Sequence, residues 1–265
     1  MLRRRAVAVL LGAARSGPVI ERLFGPAHGA AVLLDFRTRR VLAVHGSDRA
    51  RQVLSAPGST LKPFSLLALL EAGKLGAEES LLCPLRLTIA GRSLACSHPP
   101  LDSPMRVRTA LAYSCNCFVA HFASRFEPGE LAGHLARAGF PPGRVGRAVG
   151  PESNQLQALG ESGVRITALE LALAYYRLAS RAAQPILEGL EGAVEFGTAQ
   201  QARVPGVTVA GKTGSAGGQA AWFAGFAPSR APRVVVTVLV QGRSGGADAA
   251  PIAGRILQAY WEGRL

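Results

Sequence analysis

A serine and a lysine lie three residues apart in the segment PGSTLKPF, as Ser59 and Lys62. Lysine is rare in this chain, because only three of its 30 lysines and arginines are lysines, at positions 62, 74 and 212. On a helix, residues i and i+3 share one face, so these two side chains can touch. A neutral amine can activate a serine hydroxyl, whereas an arginine stays protonated. Taken alone, the pair favours a helix cap beside a surface lysine, and the interpretation as a nucleophile with its base needs further polar groups.

Two further groups of polar residues support the nucleophile interpretation. Ser114 and Asn116 place a hydroxyl and an amide two residues apart, and Lys212 opens the sequence KTGS at the end of a strand-like run. Backbone N–H groups at the start of a helix that Ser59 opens can stabilise an oxyanion. The site is expected where these three groups converge.

Residues 206–213 also match the phosphate-binding pattern G-x-x-x-x-G-K-[ST]. Such a loop follows a strand and opens a helix. Here the intervening VTVA favours a strand, and the GSAGG that follows is a poor helix start. The next apolar run, RVVVTVLVQ, carries no acidic residue for Mg²⁺. The sequence therefore predicts no nucleotide site.

Apolar runs predict the elements that position these residues. The expected strands are 30–36, 40–45, 207–213, 221–227 and 233–241. The expected helices are 59–72, 106–126, 167–181 and 249–261. Strands joined by short turns are antiparallel, so we predict an α+β fold with helices packed on an antiparallel sheet.

The composition is that of a folded domain, with 48% hydrophobic and 18% charged residues. The net charge of +13 is spread over single arginines and short pairs, and aromatic residues are 6%, which argues against nucleic-acid binding. The N-terminal MLRRRAVAVLLGAARSG has arginines before a short apolar run, as in an export signal. We therefore predict an export signal or short anchor with its linker over residues 1–27, and one domain over 28–265.

Four cysteines are present, an even number that permits disulfides in an exported protein: Cys83, Cys96, Cys115 and Cys117. The first two flank LRLTIAGRSL and can pair across a hairpin, and the last two are expected to be buried free thiols. Cys96, His98 and Asp102 suggest a metal site, but no CxxC or HxxxH spacing supports one. We therefore predict no metal and no cofactor.

The ordered set SxxK, SxN and KTG resembles the motifs of penicillin-binding proteins and serine β-lactamases. The similarity to penicillin-binding transpeptidases runs from about residue 30 to the C-terminus. It includes SAPGSTLKPFSLLALLEAG, ALAYSCNCFVAHFA, GESGVRITALELALAYYRLAS and VAGKTGSAGGQAAWFAGFAP. The resemblance implies an antiparallel sheet flanked by helices, a mainly helical subdomain, and an active site between them. Residues 28–265 would then be a penicillin-binding transpeptidase-like domain.

The resemblance also implies a role for each catalytic residue. Ser59 would be the acylated nucleophile and Lys62 its general base. Ser114 would pass a proton to the leaving group, and Lys212 would support that proton path and attract the substrate carboxylate.

Substrate binding is implied for Asn116, Thr213, Gly214 and Ser215. Asn116 would hold the substrate amide, and the hydroxyls of Thr213 and Ser215 would bind the substrate carboxylate. The backbone N–H groups of Ser59 and Ser215 would form the oxyanion hole. Position 215 is serine where the transpeptidases usually carry threonine, so the hydroxyl is kept.

The implied reaction is two-step acyl transfer on the D-Ala-D-Ala end of peptidoglycan stem peptides, by a DD-transpeptidase or DD-carboxypeptidase. The implied partners are these peptides, β-lactams and cell-wall proteins, with no nucleic acid. The expected location is the periplasm or the outer face of the cytoplasmic membrane, peripheral or anchored. One alternative is a class D-like β-lactamase or β-lactam sensor, which Asn116 disfavours because class D enzymes generally have an aliphatic residue there. The other is a noncatalytic cell-wall scaffold of the same fold.

Overall fold

The structure, a computed structural model, describes residues 17–265 of the chain. Seven strands are assigned in this part: β1 (Gly29–Asp35), β2 (Val41–His45), β3 (Arg86–Ile89), β4 (Arg92–Ala95), β5 (Ala210–Ala216), β6 (Ala220–Ala227) and β7 (Val234–Gln241). Five of them form one antiparallel sheet in the order β2-β1-β7-β6-β5, and β3 and β4 form a separate hairpin.

Ten α-helices surround the sheet in the described residues: α1 (Gly17–Phe24), α2 (Ser47–Gln52), α3 (Lys62–Glu71), α4 (Val107–Ala112), α5 (Asn116–Ala123), α6 (Glu130–Ala138), α7 (Pro151–Ala158), α8 (Ala168–Ala179), α9 (Gln184–Glu195) and α10 (Ala250–Trp261). Short 3₁₀ turns lie at Gly58–Leu61 and Gln200–Ala202, and a π turn precedes α10 at Gly245–Ala249.

The central strands are buried on both faces, which explains their nearly unbroken apolar sequences. Successive side chains of a strand point to opposite faces. The buried residues form two hydrophobic cores. In β1, Val32 lies in the larger core, which includes residues of α3, α5 and α8. Leu33 lies in the smaller core, which includes residues of α1 and α10. Full burial of such a side chain contributes about 1.5–3 kcal/mol. The sheet is therefore a firm support for the residues at its β5 edge.

The predicted α+β architecture, an antiparallel sheet flanked by helices with a largely helical part beside it, is confirmed. Two predicted elements are corrected. Residues 106–126 form two short helices, because Ser114 takes a left-handed backbone conformation (φ 57°) and ends α4. Strand β5 covers Ala210–Ala216 and not 207–213, because Val207 closes a tight turn back to Val204.

The predicted export signal lies largely outside the described residues, since residues 1–16 are not among them. The segment predicted as linker includes α1, whose Ile20 and Phe24 are buried in the smaller core. The ring of Phe24 stacks on that of His45, with centroids 3.8 Å apart. Among residues 17–265, no helix is both long and apolar enough to span a membrane.

The β3–β4 hairpin confirms the strand-like stretch between Cys83 and Cys96. Both cysteines are free thiols with their Sγ atoms 3.6 Å apart, so the disulfide considered for this pair is absent from the structure. The hairpin packs beside α5 and α7.

Candidate active site

Ser59 lies in the 3₁₀ turn that leads directly into α3, and not in the first turn of an α-helix as predicted. The turn begins at Gly58, whose φ of 52° is in the left-handed region that favours glycine. The N–H of Gly58 donates to the Gly160 carbonyl at 3.2 Å. This link fixes the backbone immediately before Ser59.

Buried side chains from the sheet and from α8 hold the same turn. Trp222 on β6 donates its indole N–H to the Ala56 carbonyl at 2.9 Å. The hydroxyl of Tyr175 on α8 donates to the Thr60 carbonyl at 2.9 Å, and both aromatic side chains are fully buried. The position of the Ser59 backbone is therefore tied to the main core.

Gly214 allows β5 to approach the turn that carries Ser59. A Cβ atom at position 214 would lie 2.7 Å from the Pro57 carbonyl oxygen and 2.9 Å from the methyl of Thr60. Both distances are far inside van der Waals contact, so a side chain at 214 would push the strand away. The glycine of the KTG sequence thus places Thr213 and Ser215 beside Ser59. The strand then turns into β6, so no helix follows Lys212 and the geometry is not that of a phosphate-binding loop.

Lys62 is fully buried and its Nζ atom contacts three oxygens. These are the carbonyl oxygen of Ser114 at 2.7 Å, the Oδ1 of Asn116 at 2.6 Å and the Oγ of Ser114 at 3.3 Å. The predicted direct contact between Lys62 and Ser59 is not among its hydrogen bonds; the lysine is instead joined to the SxN residues. Burial lowers the pKa of Lys62 to about 8, although nearby thiols act in the opposite direction.

The loop between α4 and α5 presents Ser114 and Asn116. The left-handed φ of Ser114 ends α4, and Cys115 caps α5 by accepting from the Phe118 N–H. Asn116 donates its Nδ2 to the Ala95 carbonyl at 2.8 Å, which directs its Oδ1 toward Lys62. The loop is thereby fastened to the β3–β4 hairpin on one side and to α3 on the other.

Lys212 is also fully buried, and its Nζ donates to the Thr213 carbonyl at 3.1 Å. Burial, together with the positive charge of Lys62, holds the pKa of Lys212 well below its usual value. Simultaneous protonation of both lysines is therefore disfavoured.

These groups border one cleft of about 500 Å³. Its lining includes six of the eight predicted site residues: Ser59, Ser114, Asn116, Thr213, Gly214 and Ser215. The other two, Lys62 and Lys212, are buried behind this surface. The structure therefore brings the three motifs together around one space.

Several lining residues were not predicted from the sequence. Thr198 shares a hydrogen bond with the Thr213 hydroxyl, with the two oxygens 2.8 Å apart. The Gly245 N–H donates to the Ser215 Oγ at 3.2 Å. Glu161 and Arg243 also line the cleft, and Arg243 is the one cation among the lining residues. The only sequence signal for these residues is position, since each lies in a loop next to a predicted element.

The family model "Penicillin binding protein transpeptidase domain" matches residues 29–258. A probable peptidoglycan D,D-transpeptidase PenA of Neisseria flavescens is 25% identical over 300 residues, covering 86% of this chain and 74% of the relative. The corresponding protein of Neisseria gonorrhoeae is 26% identical, and the match covers 51% of its length. A peptidoglycan D,D-transpeptidase PbpA of Mycobacterium tuberculosis is 38% identical over 78 residues, which is 24% of this chain and 16% of the relative.

Solved structures share the fold. The D,D-transpeptidase domain of a peptidoglycan glycosyltransferase from Eggerthella lenta superposes with a TM-score of 0.77 at 22% identity, covering 92% of this chain and 80% of that one. Pseudomonas aeruginosa PBP2, solved in complex with WCK 5153, gives a TM-score of 0.77 at 18% identity, covering 91% of this chain and 72% of that one.

Proposed function

We propose that this chain, which belongs to the penicillin-binding protein transpeptidase domain family, is a serine acyltransferase that acts on the D-Ala-D-Ala end of peptidoglycan stem peptides. Its acyl-enzyme forms on Ser59, and penicillins acylate the same hydroxyl. The observation that carries the proposal is the convergence of the three motifs on one cleft, with two buried lysines behind it. The names of the relatives are in agreement with it.

Lys62 is suited to accept a proton once it is neutral. A neutral amine has two N–H bonds and one lone pair. The carbonyl oxygen of Ser114 and the Oδ1 of Asn116 can only accept, so they occupy the two N–H bonds. The lone pair is then left for a hydroxyl, and Ser114 Oγ is the nearest one recorded, at 3.3 Å. The proton of Ser59 therefore reaches Lys62 either directly, close to the Ser114 hydroxyl, or by way of that hydroxyl.

The proposed reaction has two steps. Ser59 Oγ attacks the carbonyl carbon of the D-Ala-D-Ala peptide bond while its proton passes to Lys62, and the N–H groups of Ser59 and Ser215 bind the oxyanion. The C–N bond then breaks, and the D-Ala amine leaves with a proton supplied through Ser114. An amine (transpeptidase) or water (carboxypeptidase) next attacks the ester, loses its proton to the same base and restores Ser59.

The substrate carboxylate is assigned to the β5 side of the cleft. Ser215 Oγ accepts from the Gly245 N–H, so its own O–H remains available to donate to an anion. The Thr213 hydroxyl donates to the Thr198 hydroxyl at 2.8 Å, which fixes its position beside Ser215. Arg243 is the cation among the residues that line the cleft, so we assign the long-range attraction of the carboxylate to it.

The proposed substrate determines where in the cell this protein would act. Peptidoglycan is outside the cytoplasm, so the proposal requires export, in agreement with the signal-like N-terminus. The chain would act in the periplasm or at the outer face of the cytoplasmic membrane, with cell-wall proteins as further partners.

The first experiment is labelling with a fluorescent penicillin. We expect the purified protein to form a stable adduct and Ser59→Ala to form none. Ser124→Ala is the matched control, because its hydroxyl donates to the His121 carbonyl at 2.6 Å, away from the cleft. A folded wild-type protein that takes no label supports the scaffold alternative, and label that persists in Ser59→Ala shows that the nucleophile is wrong.

A second measurement separates the enzyme classes. After acylation, a β-lactamase releases hydrolysed drug within seconds, whereas a transpeptidase or carboxypeptidase stays labelled. Incubation with a D-Ala-D-Ala peptide, with and without an amine acceptor, then shows whether the acyl group goes to the amine or to water. Rapid turnover of the penicillin would favour the β-lactamase alternative.

A further inference from the structure

Three cysteine sulfurs that are distant in sequence meet beside the Ser114 loop. The Sγ atoms of Cys83, Cys96 and Cys115 form a triangle with sides of 3.6, 3.8 and 3.4 Å. Cys83 and Cys96 lie at the two ends of the β3–β4 hairpin, and Cys115 is the cap of α5. All three are free thiols.

His98 brings a nitrogen to the same place. The residue is 7% exposed, and one of its ring nitrogens lies within 4.8 Å of all three sulfurs. Nδ1 is 2.7 Å from the Pro99 carbonyl oxygen, which can only accept, so Nδ1 carries the proton and Nε2 has a free lone pair. Nε2 is buried and has no hydrogen-bond partner. A buried lone pair without a donor costs free energy, so the arrangement calls for a ligand.

The distances fit a metal ion better than disulfides. A tetrahedral Zn²⁺ with Zn–S bonds of about 2.3 Å holds its sulfurs about 3.8 Å apart. A disulfide needs sulfurs at about 2.0 Å, and all three distances in this triangle are well above that. Backbone N–H groups also point at the sulfurs, from Leu85 to Cys83 and from Phe118 to Cys115, each at 3.3 Å. Such bonds stabilise thiolates that ligate a metal.

We propose that Cys83, Cys96, His98 and Cys115 bind one Zn²⁺ in a tetrahedral site. Binding displaces three thiol protons, and the resulting centre, with three thiolates and a neutral imidazole, has a net charge of −1. Thiolate and imidazole ligands select zinc over magnesium or calcium. With all four positions filled by protein atoms, the ion is structural and does not act on substrate.

The ion would connect both ends of the hairpin to the loop that carries Ser114 and Asn116. Cys115 lies between these two residues in the sequence, and Asn116 already contacts Ala95 next to Cys96. A metal at this junction would fix the distance between the SxN residues and Lys62. The site does not depend on the proposed acyl transfer, because metal binding can be measured without substrate.

Cys117 provides the matched control. Its Sγ is 3.6 Å from that of Cys96, but its side chain also borders a different pocket, with Leu87 and His121. Like the proposed ligands it is a free thiol close to the cluster. We exclude it from the ligand set because His98 completes the group that lies within 4.8 Å.

The test measures metal content in the full chain, purified under reducing conditions. We expect about one zinc per chain in the wild type and in Cys117→Ala, and loss of most of it in Cys115→Ala and His98→Ala. Replacement by Co²⁺ should give the intense thiolate-to-cobalt absorption and the visible bands of a tetrahedral site. Zinc retained by His98→Ala but lost by Cys117→Ala would overturn the ligand assignment.

If the variants fail to fold, the site can still be tested on the wild-type protein. A strong zinc chelator should lower the melting temperature of the wild type, and Zn²⁺, but not Mg²⁺, should restore it. A wild type that binds no zinc after incubation with it under reducing conditions overturns the site, as does a mass spectrum with disulfides in place of metal. Penicillin labelling of the same samples tests the acyl-transfer proposal independently of metal binding.

Discussion

The side of the cleft that carries Ser59 and the side that carries Ser114 differ in what holds them. The sheet wall, residues 56–60 with 212–215, is joined to the core by strand pairing and by buried Trp222 and Tyr175. The loop wall, residues 83–98 with 113–117, rests on a two-stranded hairpin with an exposed face and on a few polar contacts. Ser59 thus lies beside the main core, whereas Ser114 and Asn116 lie in a part of the fold with its own local supports.

This difference predicts that the two walls respond differently to substitution. Changes in the loop wall should alter acylation more than global stability, because they remove few core contacts. Changes behind the sheet wall should appear first as a loss of stability. Lys62 lies between the two walls, so changes in either wall should alter its pKa.

The largest expected effect is that of Asn116→Ala. The variant removes the acceptor for a Lys62 N–H and the link to the Ala95 carbonyl. We expect the rate of penicillin acylation to fall about 100-fold, as for loss of one positioned polar group. The midpoint of urea unfolding should hardly change. Gln155→Ala is the control, because its amide donates to the Ala120 carbonyl at 3.1 Å, outside the cleft. Equal acylation rates in both variants would show that Asn116 has no special role.

The pH dependence of acylation should be the next largest effect. Lys62 must be neutral to accept a proton, and its pKa is lowered to about 8. The acylation rate should therefore rise about tenfold per pH unit below pH 8 and level off above it. Stopped-flow measurement of penicillin binding gives this profile, with circular dichroism at each pH to confirm folding. A rate that is constant between pH 6 and 8 would contradict a base with this pKa.

The smallest effect concerns the support of the sheet wall. Tyr175→Phe removes the hydrogen bond to the Thr60 carbonyl without changing the packing of the ring. We expect a loss of about 1 kcal/mol in the free energy of unfolding. Tyr176→Phe is the control on the same helix, because its hydroxyl only accepts from the exposed Arg39. If Tyr175→Phe impaired acylation more than Asn116→Ala did, the proposed division between the walls would be wrong.

Most of the sheet was predictable because apolar runs such as that of β7 carry a strong local signal. The hairpin of β1 and β2 and the helix after the Thr167 cap were found for the same reason. Helices α6, α7 and α9 were missed, since their sequences are short, polar or interrupted by glycine and proline. The position of β5 was wrong by three residues, because Val207 looks like a strand residue but lies in a turn.

The order of the three motifs indicated the candidate site residues, but the partners of these residues depend on tertiary structure. Nothing in the sequence shows that Lys62 contacts the SxN residues and not Ser59, or that Arg243 borders the cleft. The convergence of His98 with three cysteines was missed for the same reason. Their separations along the chain match no familiar ligand spacing, and only the folded hairpin brings them together.

Ser114 has the backbone conformation in which a helix usually ends on glycine. Its N–H and that of the following residue bond to carbonyls of the preceding turn, so the geometry is required for α4 to stop where it does. A glycine would adopt it at lower conformational cost but would bring no hydroxyl to the cleft. Under the role proposed for Ser114, glycine at this position would favour stability and serine would favour turnover.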